Sequence, residues 1–204
     1  MASAEESPPG EDVAPLLARL LEEATTAGAP VDLNPNTEVD PVLGELVVAT
    51  ASGNRTEAAY ALEAVFEGFL CHQGSPRLTS SADGDLALLT GDLLYAIGLE
   101  AVASTGDTGA VRALADLIGL SAAVASEGRM EALVPIWQAQ ALVLADPAGQ
   151  AIEGLLEAVA NGTDRDGSAL AGAARDRASR ADADGAFDRA GEALQFLEEV
   201  APEA

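Results

Sequence analysis

From Leu86 to Ser104 the chain reads LALLTGDLLYAIGLEAVAS. This run is apolar nearly all round and contains no proline. Gly91 and Gly98 stand seven residues apart, about two helical turns. It shows no strand-like alternation of apolar and polar residues. A helix with so little polar face belongs at the centre of a fold or in an interface. Asp83 or Asp85 is placed to open it, since a carboxylate at a helix start meets unpaired N–H groups and the positive end of the dipole.

The remaining segments are helical too. Asp12 can cap a helix carrying Val13, Leu16, Leu17, Leu20 and Leu21, closed by Gly28 and Pro30. Asp40 and Pro41 form an N-cap and N1 pair for a helix stopping near Gly53. The next helix starts near Thr56 and ends before Gly74 and Pro76, with a loop from Gly74 to Ser81. Asp107 or Thr108 caps a helix ending near Gly128. Met130 to Ala145 is helix-compatible, with Pro135 kinking it or sitting in its first turn. Pro147 begins another helix, stopped by Asn161 and Gly162, and two last helices run over about 168–181 and 186–200. The expectation is an all-α, single-domain bundle of about nine helices over residues 12–204, preceded by a disordered acidic arm at 1–11.

Composition narrows the partners. The 204 residues are 49% hydrophobic but only 3% aromatic, so the core must be built from Ala, Leu and Val. The net charge is −24, and every basic residue is Arg. Such a polyanion repels phosphate backbones and anionic lipid, which argues against nucleic acid. The charge reads as a salt or solubility adaptation or as a docking surface for a basic protein. No uninterrupted apolar stretch reaches the roughly 18–20 residues of a membrane span. The N-terminus lacks the apolar core of a secretory leader, and the single Cys71 cannot form an internal disulfide. Together these predict a cytoplasmic location.

No complete catalytic constellation can be assembled. His72 is the only histidine, and adjacent Cys71 and His72 point about 100° apart on a helix. Carboxylate pairs stand at Glu63 with Glu67, Asp83 with Asp85, Asp164 with Asp166, and Asp182 with Asp184. Paired acids are expected by chance in a chain with 34 of them. There is no P-loop with its lysine, and no dinucleotide fingerprint.

The middle of the chain resembles the trans-prenyl diphosphate synthases. The likeness rests on the loop Ser75, Pro76, Arg77, Leu78, Thr79, on the helix Ala87–Ser104 with Gly91-Asp92 in its first half, and on the following helix Ala113–Met130. The family implies an isoprenoid-synthase-like all-α fold, here truncated. Its members hold Mg²⁺ against an allylic diphosphate with two aspartate-rich motifs. Where the first should fall, this chain has Cys71, His72, Gln73 and Gly74; Leu142–Gln150 does not supply the second. The resemblance therefore implies a degenerate small subunit with no catalytic residue, no metal ligand and no cofactor of its own, Mg²⁺ being expected only on a catalytic partner.

In the family, the Gly-Asp helix and the one after it build the dimer interface. That implies an interface of Leu88, Gly91, Asp92, Tyr95, Leu99, Val111, Leu114 and Ile118, made with a catalytic homologue or with a second copy of this chain. Arg77 is the residue that could touch a diphosphate. The competing expectations are a structural or adaptor bundle unrelated to isoprenoids, and a weak prenyltransferase using Glu63 and Glu67 or Asp83 and Asp85.

Overall fold

The computed structural model describes residues 15–31, 33, 39–79, 83–146 and 150–199. The expected arm at 1–11, the cap at Asp12 and the helix start at Pro147 lie outside these residues. Nine α-helices are found among those described: α1 (Leu16–Thr26), α2 (Val42–Thr50), α3 (Thr56–His72), α4 (Gly84–Ser104), α5 (Thr108–Ser126), α6 (Leu133–Ala145), α7 (Gln150–Ala160), α8 (Ser168–Arg180) and α9 (Asp184–Leu194). Short 3₁₀ turns at Met130–Ala132 and Gln195–Glu198 precede α6 and follow α9. The β-structure among the described residues is one isolated bridge, Leu33 with Thr79.

Two helices form the centre. Every residue of α3 from Ala58 to Cys71 is buried, and so is all of α6 except Val134. α4 lies along α3 in the largest helix–helix contact of the molecule. α2 packs on both α3 and α6 and reaches α9; α5 bridges α3 and α6; α7, α8 and α9 surround α6. α4, expected at the centre or in an interface, is thus not the hub. It buries one side against α3 and leaves the other open.

Local chemistry explains the ends. Asp83 accepts from the Leu86 N–H at 3.2 Å and Asp107 from the Ala110 N–H at 3.0 Å, so each caps its helix. Gly28, Gly74, Gly106, Gly128 and Gly162 have φ between 68° and 85°, the left-handed conformation that closes a helix. Pro135 sits in the first turn of α6, where its missing N–H is harmless. Asp40 does not cap α2 with its side chain. The helix begins one residue later than expected, with the Asp40 carbonyl accepting from the Val42 N–H at 2.9 Å.

Asp107 also ties two loops together, since its second carboxylate oxygen accepts from Arg55 at 2.8 Å. Its carboxyl is held below the usual range by the Ala110 N–H first, then by Arg55, against the opposing effect of burial. A depressed pKa adds stability above the ordinary value of 3.8 and loses it as pH falls through the folded value. Asp107→Ala is expected to lower stability by about 0.5–2 kcal/mol at neutral pH. Urea unfolding should show the gap between variant and parent narrowing as pH falls below 3.8; a gap that stays constant there would rule out the cap as its source.

Candidate functional site

Glu63 and Glu67 lie one turn apart on α3 and are almost wholly inaccessible, at 0% and 1%. The loop after α3 folds back over them. Glu67 Oε1 accepts from the backbone N–H groups of Arg77 and Leu78, both at 2.7 Å, and Oε2 accepts from Arg77 Nε at 3.0 Å. Glu63 Oε2 accepts from Arg77 Nη2 at 3.2 Å, and Oε1 accepts from the Gly44 N–H of α2 at 2.8 Å. The guanidinium also sits 4.6 Å from the centre of the Phe66 ring. Burial pushes the Glu63 carboxyl above its ordinary range, opposed by Arg77 and by the Gly44 and Leu43 amides.

Every oxygen of this pair therefore faces an N–H donor. The arrangement clamps α2, α3 and the 74–79 loop together. No group of three or more His, Cys, Asp or Glu side chains able to hold a metal occurs among the described residues. Arg77, whose side chain is 16% exposed, is turned inward onto the two glutamates. Its Nε and Nη2 are thereby committed to carboxylates of the chain itself.

The Gly91-Asp92 step has a clear local role. Gly91 faces Gly68 across the α3–α4 seam: a Cβ on either would lie 2.9 Å from the carbonyl oxygen of the other. Further along, a Cβ on Gly98 would lie 2.8 Å from the Ala61 carbonyl oxygen. The two backbones approach at contact distance, which only glycine permits here. Asp92 Oδ1 stands 3.2 Å from His72 Nε2, and the imidazole stacks on Tyr95 with centroids 5.2 Å apart and planes 8° from parallel. His72 thus closes the end of the seam. Cys71 points into the core instead, where burial pushes its thiol up to about 12.

The candidate interface residues divide. Gly91 and Leu114 are buried in the chain's own packing and present nothing to a partner. Leu88 is 43% exposed and Asp92 is open to solvent; Tyr95, Leu99, Val111 and Ile118 are half-buried. Leu89 is missing from that set, yet it is the more exposed leucine, at 56%. The all-round apolarity of α4 hid which side of the helix α3 would cover.

By length and composition alone, α4 and α5 are apolar enough to cross a membrane, with mean hydropathies of 1.6 and 1.4 over a spanning window. The uninterrupted run considered from sequence is a stricter test, because Asp85, Asp92 and Glu100 break α4. A carboxylate at a bilayer centre costs about 2.5–3.5 kcal/mol on insertion scales.

Of the acids expected to be chance pairs, Asp164 and Asp166 have local partners. Asp164 accepts from the Leu170 N–H at 3.1 Å and Asp166 from the Ser168 N–H at 3.1 Å, both at the start of α8. A cluster with no sequence signal joins α1 to α3: Arg19 reaches Glu57 at 2.7 Å and lies over the Tyr60 ring, while the Tyr60 hydroxyl donates to Glu23 at 2.6 Å. Comparison with protein families, with curated proteins and with solved structures finds no match to this chain.

Proposed function

We propose that this protein is a non-catalytic accessory subunit that pairs with a catalytic polyprenyl diphosphate synthase through the outer side of α4 and the adjoining part of α5. One observation carries the reading. Leu88 and Leu89 are the exposed large hydrophobic residues among those described, and both stand on the helix that bears Gly91-Asp92. An apolar pair held open on a rigid helix gains free energy when a partner covers it. Asp85, Asp92 and Glu100 along the same helix suit a basic rim on that partner. Any Mg²⁺ belongs to the partner's aspartates, and the complex works in the cytoplasm.

The experiment is co-expression with a prenyl synthase carrying both aspartate motifs, followed by co-purification and prenyl-transfer assay. Covering the exposed halves of two leucines is worth about 1.5–3 kcal/mol. Leu88→Ser/Leu89→Ser is therefore expected to weaken association by about 10–100-fold. Failure of the parent pair either to associate or to change prenyl-transfer rate would sink the proposal.

A second reading is an adaptor bundle unrelated to isoprenoids. The inward turn of Arg77 favours it, because it commits to two glutamates of the chain the side chain that the resemblance assigned to a diphosphate. It predicts that the same Leu88 and Leu89 face binds no prenyl synthase, a result the co-purification reads directly.

A further inference from the structure

A separate trough of about 790 Å³ runs between α5 and α7, with α6 as its floor. The α5 wall offers Ala115, Gly119 and Ala123; Val143 and Leu144 form the floor; Leu156 stands on the α7 wall. From Gly109 to Ala123 this wall is about 21 Å long at 1.5 Å per residue, roughly four helical turns. That length, lined mostly by small apolar side chains, matches an elongated ridge. Gln140, the buried amide in the floor, already donates to the Ala113 carbonyl at 2.9 Å. Gly119 has no packing reason to be glycine: a Cβ there would meet nothing within 4 Å.

The rim supplies the sign of the partner. Glu153 and Glu157 border the trough four residues apart on α7, a like-charge spacing that weakens a helix. Neither has an ion pair among the described residues. On the opposite wall, Arg112 pairs with Asp116 of its own helix at 3.5 Å, so it does not offset them. Two unpaired carboxylates along one wall of an apolar trough call for cations along the matching side of an apolar ridge.

We infer that this trough is a docking groove for an amphipathic helix of a partner protein, with leucine-type residues entering along α5 and Lys or Arg meeting Glu153 and Glu157. The occupant is a helix-in-groove ligand. The groove lies on a different side of α5 from the α4 face proposed above, and neither proposal depends on the other.

The probe is a synthetic Leu/Lys peptide forming an amphipathic helix of about five turns, titrated by calorimetry into the full chain. Its partner controls are a peptide of the same composition with the leucines scattered around the helix, and a Leu/Glu peptide of the same pattern. The amphipathic basic peptide is expected to bind at least about ten-fold tighter than either. Gly119→Leu separates docking from folding. It should raise Tm by about 2 °C through helix propensity while weakening the peptide at least about ten-fold by filling the trough. Glu153→Gln/Glu157→Gln should weaken binding, whereas Glu22→Gln/Glu192→Gln, with the same net charge and outside both proposed faces, should not. Equal binding of the scattered peptide would overturn the inference as mere attraction to a polyanion. So would unchanged binding in Gly119→Leu. Self-association of the parent that Gly119→Leu abolishes would assign the groove to a second copy and overturn it equally.

Discussion

Arg77→Ala is expected to lower stability by about 3–5 kcal/mol at pH 7, the cost of leaving a buried charge without its partner. One guanidinium serves two carboxylates that water cannot reach: Glu63 and Glu67 are 0% and 1% exposed at their side chains. The cluster sets two carboxyl groups against one guanidinium. Without Arg77, Glu63 keeps the Gly44 N–H, and Glu67 keeps the two backbone donors of residues 77 and 78. Neither retains a cation. Burial already raises the Glu63 pKa above its ordinary 4.5. For an acid raised in the folded state, stability is full below the unfolded pKa and falls as pH rises past it. The penalty of Arg77→Ala should therefore shrink markedly near pH 4, where Glu63 can take up a proton and needs no counter-charge. Urea unfolding of both proteins at pH 7 and pH 4 measures it. Arg77→Lys should fall between them, because an ammonium supplies the charge but not the fork that spans both glutamates. A loss below about 1 kcal/mol, or one equal at both pH values, would contradict the clamp.

This clamp also marks where sequence reasoning stops. Glu63 and Glu67 at i and i+4 look like a solvated helix face or a carboxylate pair for a cation. Only the loop returning over α3 makes them internal, and that return depends on tertiary packing. Helix ends were legible because their causes are local: Thr56 begins α3 as expected, Asp83 and Asp107 cap α4 and α5, and Gly128 and Gly162 adopt the left-handed turns that stop α5 and α7. The identity of the hub was not legible. All-round apolarity placed α4 at the centre or in an interface, whereas burial is completed by α3 and α6, whose polar residues are absorbed by partners distant in sequence. Gln138, for instance, donates to the Phe187 carbonyl at 2.9 Å. For the same reason the candidate face was half readable. The pattern located α4 and α5, but not which of their residues α3 would cover, so Gly91 and Leu114 turned inward and Leu89 was missed.

Trp137→Ala is expected to be as damaging as the loss of Arg77, by about 3–5 kcal/mol, because it opens a cavity in the middle of α6 that neighbouring helices cannot close. Trp137 is the only tryptophan and is 0% exposed. Phe66 meets it edge-on with centroids 4.8 Å apart, and Phe69 lies at 5.4 Å, so three of the chain's seven aromatic rings share one contact. Phe66 and Phe69 are themselves buried and packed, so they are not free to fill the space. For a chain of this length, 1 kcal/mol shifts Tm by about 2–4 °C, so the variant should melt roughly 6–20 °C lower. The indole Nε1 has no hydrogen-bond partner among the described residues. Trp137→Phe removes that unsatisfied donor, whose burial costs about 1–3 kcal/mol, while losing part of the ring. It should therefore cost much less than alanine. Circular dichroism at the helical band follows both variants; indole fluorescence serves only the parent, whose emission should shift to the red on unfolding. Equal Tm values for Trp137→Phe and Trp137→Ala would mean that the unpaired N–H, and not the packed ring, governs this position.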